Sequence, residues 1–335
     1  MTCTDRLRKV ALNMCSAIRT GILVLSALGG SLAFSADNSG VQIKELPDRL
    51  RIELNGQLFT EYFYKNVPRP YYYPVMGPGE SPMTRDWPMK SPPGEEHDHP
   101  HHRSLWYAHG LVNGHDFWSE AKGFGKIVHD GFQEVKSGDK TGVIKSKDKW
   151  VAADGTVVCT DERTFKIYAP SSPSEKMFDF QITIHAPDHE VVFGDTKEGS
   201  MAIRVAESMK LKGGDGHIIN SEGVRDDKTW GKNAEWCDYY GPVNGKTLGI
   251  AIFDAPSNPR HPTSWHVRDY GLFAANPFGK HDFEKLSDKS AGDFKIPAGK
   301  SATFSYRFFF HEGDEKQGKV AEQYRDYVKS LSSGQ

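Results

Sequence analysis

From residue 178 to 185 the chain alternates without a break: Phe178, Phe180, Ile182 and Ile184 are apolar, and Asp179, Gln181, Thr183 and His185 between them are polar. Only an extended strand sends successive side chains to opposite faces, so this run has to sit in a sheet with one face buried. Residues 157–168, 247–254 and 302–311 carry the same enrichment in β-branched and aromatic side chains. Asn55-Gly56, Asp154-Gly155 and Asn244-Gly245 lie between apolar runs. Such dipeptides tolerate the positive φ that tight hairpins require. Short strands joined by turns predict an all-β, antiparallel sandwich.

One helix is readable. Over residues 315–331, Val320, Tyr324, Tyr327, Val328 and Leu331 recur at helical spacing with charges between them, which predicts a C-terminal cover on the sandwich. No Pro/Ser-rich linker, low-complexity tract or repeat divides the chain. A single β-domain of this length is expected to be a large two-sheet supersandwich, by analogy with galactose mutarotase-like proteins.

The N-terminus reads as a targeting segment. Arg6, Arg8, Lys9 and Arg19 precede or flank an uncharged apolar run, residues 21–34, and small residues follow at Ser31, Ala33, Ser35 and Ala36. A membrane span needs about 20 apolar residues, so a cleaved secretory signal over 1–36 is expected, with one sandwich domain over 37–335. The mature protein is then periplasmic or secreted, with no membrane contact after cleavage. Taking four basic residues and Asp5 away from 42 basic and 44 acidic leaves a net charge of −5. That balance argues against nucleic acid as a partner. Cys3 and Cys15 leave with the signal; Cys159 and Cys237 remain, either to pair in an oxidising compartment or to stay as separate buried thiols.

Residues 95–118 hold six of the fourteen histidines: His97, His99, His101, His102, His109 and His115. Histidine titrates near neutrality and is a common metal ligand, so the segment marks a site. Gly94 and Pro100 make it a loop. On an extended backbone His97, His99 and His101 would share one face and His102 the other, with His97 and His99 solvated. Arg103, beside His101 and His102, disfavours imidazolium and keeps those rings neutral, and it suits a carboxylate or a developing oxyanion. A zinc or copper site on the 97–109 cluster is the competing reading, although no helical His-Glu-x-x-His pattern supports it.

Two further constellations belong with this one. Residues 258–281 bring together His266, Arg268, Asp269 and Tyr270, followed by the loop Asn276-Pro277-Phe278-Gly279; Asp269 is placed to orient His266. Residues 195–204 supply Glu198 as an acid and Arg204 as a substrate contact. Trp87, Trp106, Trp118, Trp230, Trp236 and Trp265 stand in polar, Gly- and Pro-rich contexts suited to a sugar cleft, with the core claiming about half of them.

The run from Arg69-Pro-Tyr-Tyr-Tyr-Pro-Val to Asp98-His-Pro-His-His-Arg-Ser-Leu-Trp, with His109-Gly, Val112-Asn-Gly and Asp116-Phe-Trp, resembles the bacterial family called "methane oxygenase PmoA". Asp195-Thr-Lys-Glu-Gly, Trp265-His-Val-Arg-Asp-Tyr-Gly and Ala274-Ala-Asn-Pro-Phe-Gly resemble its later motifs, so the likeness runs from about residue 41 to 331. The methane monooxygenase subunit of that name is a multi-span helical protein, and no segment after the signal is apolar enough to span; methane oxidation is rejected. The resemblance implies an exported protein of bacteria that degrade complex polysaccharides. The expectation is therefore a carbohydrate-active epimerase, lyase or hydrolase. Its base is His101 or His102, its acid Glu198 or His266, and Asp269 orients His266. Arg103, His109, Asn113, Trp118, Arg204, Arg268, Tyr270 and Asn276 hold a sugar or oligosaccharide, without a cofactor. A non-catalytic carbohydrate-binding protein is the alternative.

Overall fold

Two antiparallel eight-stranded sheets dominate the computed structural model, which describes residues 39–333. The signal segment assigned to 1–36 lies outside them. In spatial order the first sheet runs Val41–Glu45, Arg49–Leu54, Gln57–Phe63, Tyr71–Val75, Leu105–His109, Gly199–Arg204, Leu272–Ala275 and Trp265–Val267. The second runs His217–Asn220, Trp236–Val243, Lys246–Asp254, Ser301–Glu312, Glu175–His185, Val157–Tyr168, Thr141–Val151 and Lys126–Lys136. All described residues fall in one compact unit, and none of its helices is long and apolar enough to cross a membrane.

The alternating run becomes the strand Glu175–His185, with Phe178, Phe180, Ile182 and Ile184 buried. These side chains meet the first sheet across the sandwich. Phe59 packs edge-on to Phe178 at 6.1 Å, and Tyr72 stacks on Phe165 at 4.3 Å. One apolar cluster draws on both sheets, so burial of the two inner faces drives the fold. The hairpins turn where the dipeptides stand: Asn55 and Gly56 adopt φ 49° and 79°, and Asn244 and Gly245 adopt 50° and 76°. Both are two-residue loops whose twist matches that of the strands they join.

Part of the second sheet is covered on its outer face as well. Phe308 and Phe310 face the inner core, whereas Phe309 joins Trp236, Tyr240 and Phe253 under Val320, Tyr324 and Tyr327 of the C-terminal helix. That helix is Val320–Ser333, five residues later than the spacing predicts at its start. Residues 315–319 stay out of it because Lys319 is held at φ 52° and Gly318 lies against the His311 ring, where a Cβ would come within 2.3 Å of Nδ1. Cys159 and Cys237 are separate, buried thiols, and burial raises the pKa of each.

Phe309→Ala opens a cavity between sheet and helix and should lower the unfolding free energy by about 3 kcal/mol or more. Leu331→Ala, on the exposed side of the helix, should change it by less than about 0.5 kcal/mol. Urea denaturation of the two variants checks both figures.

Candidate functional site

The site lies on the outer face of the first sheet. Register places Trp106 opposite Ala202, Ala202 opposite Ala274, and Ala274 opposite His266. Directly paired residues share a face, and Tyr107, the neighbour of Trp106, points the other way, towards Phe180 of the second sheet. The outward row therefore runs from a tryptophan across two alanines to a histidine. The alanines leave a depression over which the histidine loop, residues 95–104, folds back.

That loop has no regular secondary structure and is wound on one arginine. Arg85, fully buried, donates to the Trp87, Glu96, Asp98 and His99 carbonyls and to the Asp98 carboxylate. Asp98 also accepts from Nη2 of buried Arg204, at 3.0 and 3.2 Å, and lies 2.6 Å from His99 Nδ1. Burial raises the Asp98 pKa, but the His99 hydrogen bond and the two guanidinium groups outweigh it and hold the carboxyl well below the usual carboxylate range.

Rings stack over this ion cluster. Trp106, His102, His99 and Tyr270 follow one another at 5.3, 4.6 and 4.9 Å, each pair within 24° of parallel. Arg204 sits 4.8 Å over the Tyr270 ring and Arg268 5.5 Å over it. Arg204 Nη1 donates to His102 Nδ1 at 3.2 Å. The His102 proton must therefore reside on Nε2, which is buried without a partner among the described residues. Burial, then His101 and Arg204, push the His102 pKa well down.

A cleft of about 380 Å³ opens beside the stack, lined by His99, His101, Trp118, Ser119, Lys197, Glu198, His266, Arg268 and Tyr270. Two of its histidines, His101 and His266, are held unprotonated. Burial, then Arg69 and His99, bring His101 down to about 4. Burial, then Arg268 and Lys197, bring His266 to about 3. His266 interacts with the Lys197 backbone, and its Nδ1 has no partner among the described residues. Glu198 pairs with Lys197 at 3.1 Å. Asn276, buried, donates to the Thr196 and Lys197 carbonyls at 3.0 and 2.9 Å and so sets the turn that presents Lys197 and Glu198.

Of the residues predicted from sequence, His101, Trp118, Glu198, His266, Arg268 and Tyr270 therefore converge on one cleft. Arg204, His102 and Asn276 stand behind it. Four others do different work. Arg103 is a bidentate partner of Glu120, Nε at 2.8 and 2.9 Å and Nη2 at 2.7 Å, so it is committed within the protein. His109 is buried, 2.7 Å from the Gly194 carbonyl through Nε2, and burial brings it to about 4. Asn113 clamps a turn, donating to the Glu190 carbonyl and accepting from the Val192 N–H. Asp269 lines a neighbouring cleft with Asp227, Trp230, Val267 and Arg268. It stands in the tight turn that follows the strand Trp265–Val267, closed by the Gly271 N–H on the Arg268 carbonyl, and the expected orienting bond to His266 Nδ1 is not formed among the described residues.

The loop histidines also depart from the expected alternation. His99, predicted as solvated, lies inside the ring stack, whereas His97 stacks on Trp87 at 4.0 Å and stays exposed as expected. Among the described residues no three His, Cys, Asp or Glu side chains are grouped to hold a metal ion. Stacked rings direct their nitrogens sideways rather than to a common point. Sequence reasoning missed Arg85, Asp98 and Lys197. Asp98 was legible as a carboxylate between two histidines; Arg85 carried no local signal.

The family model for a "family of unknown function (DUF6807)" matches residues 49–325, and the chain belongs to that family. No curated protein matches its sequence. Among solved structures it is similar to the α-galactosidase from Lactobacillus brevis, with 8% identity over 83% of this chain and a TM-score of 0.42. The chain spans 40% of the length of that enzyme. It is also similar to a galactose mutarotase related enzyme from Lactobacillus acidophilus, with 8% identity, 82% and 97% of the two chains and a TM-score of 0.30. A putative aldose 1-epimerase from Escherichia coli K12 gives 10% identity, 82% and 100% of the two chains and a TM-score of 0.31.

Removing the Asp98 carboxylate leaves two buried guanidinium groups facing each other. Asp98→Ala should therefore lower the unfolding free energy by about 3–5 kcal/mol, measured by chemical denaturation. A loss under about 1 kcal/mol would mean that the loop does not depend on this pair.

Proposed function

We propose that this chain is an exported carbohydrate-active enzyme, PmoA-like in sequence, whose base is a buried neutral imidazole. One observation carries the reading. His101 and His266 both line a cleft walled by Trp118 and Tyr270, their pKa values held down to about 4 and 3, with the carboxylate of Glu198 in the same cleft. Flat aromatic faces beside polar groups suit the apolar face and the hydroxyls of a sugar. A ring that stays unprotonated can take a proton from a sugar carbon or from an attacking hydroxyl or water. His102 is unsuited to that role because its Nδ1 lone pair already accepts from Arg204, which leaves it only an Nε2 proton. His266 is likewise a base rather than an acid, which leaves Glu198 as the second group of an acid–base pair. Epimerisation, β-elimination and hydrolysis all fit such a pair.

The pH dependence separates this site from an ordinary histidine. A base with a pKa near 6.5 loses activity as pH falls through that value. Here the unprotonated form persists to about pH 4 in His101 and lower in His266, so turnover should stay level from pH 7 to about 5. His266→Gln and His101→Gln are each expected to lower kcat by about 100-fold or more, assayed on neutral and acidic oligosaccharides. Unchanged turnover in both variants would remove the imidazoles from the mechanism. Tight binding without turnover of any sugar would make the cleft a carbohydrate-binding site. Export is checked separately: the N-terminus of the protein recovered from the periplasm or medium should follow Ala36.

A further inference from the structure

Arg268 stands where the histidine cleft meets the neighbouring cleft of about 300 Å³, and it lines both. Its guanidinium lies 5.6 Å from the centre of the Trp230 ring and 5.5 Å from that of Tyr270. Among the described residues no carboxylate pairs with it and no acceptor takes its side-chain N–H groups. Stacking uses the flat faces of a guanidinium and leaves its N–H edges free for a two-oxygen acceptor. Most cations around the site are spent: Arg103 on Glu120, Arg85 and Arg204 on Asp98. Arg268 is unspent, in a chain whose net charge is −2.

The carboxylates nearby decide on which side an anion would sit. Asp227 and Asp269 line the neighbouring cleft and would repel it there. In the histidine cleft the acidic group is Glu198, paired with Lys197. Trp118 walls that side of the cleft, and its buried indole N–H has no partner among the described residues. We infer that Arg268 is the receptor for an anionic substituent of the sugar, a uronate carboxylate or a sulfate ester, seated in the histidine cleft between Arg268 and Trp118. The neighbouring cleft, with Trp230 as a platform and two carboxylates as hydroxyl acceptors, takes the adjoining uncharged part of the saccharide. This assignment rests on the carbohydrate reading above and narrows its substrate class to acidic saccharides.

The test is binding of the purified protein to oligogalacturonates, glucuronate-containing oligosaccharides and sulfated galactans beside their uncharged counterparts, with sodium citrate as a sugar-free anion. Acidic glycans should bind about tenfold or more tightly than neutral ones, the contribution of one charge-assisted pair. Arg268→Gln should erase that preference with the melting temperature unchanged, and Arg268→Lys should restore part of it. Preference for uronates or for sulfates identifies the substituent. Equal binding of acidic and neutral glycans would overturn the anion receptor and leave the carbohydrate reading standing. Arg268-dependent binding of citrate with no glycan bound would keep the receptor and overturn the carbohydrate reading. Binding of neither would overturn both.

Discussion

A single carboxylate between two buried arginines holds the functional half of this molecule in place. Asp98 belongs to a loop that lacks both helix and strand, and such a segment has no ladder to fix its backbone. Arg85 supplies the missing donors by binding four carbonyls of the 87–99 stretch. Arg204 reaches the same carboxylate from the end of a sheet strand 106 residues further along the chain. The loop is thereby tied to the sheet at the point where His99 and His102 must stack. Two guanidinium groups without a counter-ion would be prohibitive in this interior, so the aspartate, the arginines and the ring stack stand or fall together.

The protonation states follow from that arrangement. Imidazolium is disfavoured at His101, His102 and His266 by lost hydration and by the surrounding cations. A neutral His102 stacks face to face with His99 at 4.6 Å, and Asp98 stands 2.6 Å from His99 Nδ1. The same positive surroundings that keep the bases unprotonated also suit a negatively charged ligand, so one electrostatic design serves catalysis and recognition.

The sandwich was legible in the sequence where one face of a strand meets solvent and the other meets the core, as in Glu175–His185. The Asn-Gly hairpins were legible because only a few residue types accept their backbone angles. The start of the C-terminal helix was not, since the contact that excludes residues 315–319 comes from His311 on a distant strand. Within the site, residues two apart on extended chain were read well: His266 and Arg268 face the same cleft. Asp269 and Arg103 were misassigned because adjacency in sequence does not tell which way a side chain leaves the backbone. The stack of His99 on His102 depends on Arg85 and Arg204, and nothing within the loop announces either.

The two outer surfaces of the sandwich carry different loads. The cleft occupies the outside of the first sheet, whereas the C-terminal helix packs on the outside of the second. The last described residues therefore emerge on the side of the molecule away from the histidines. Anchored through its C-terminus to a bead, a sensor chip or a cell surface, the protein would present its open cleft outward, with the full thickness of two sheets between the tether and an arriving glycan.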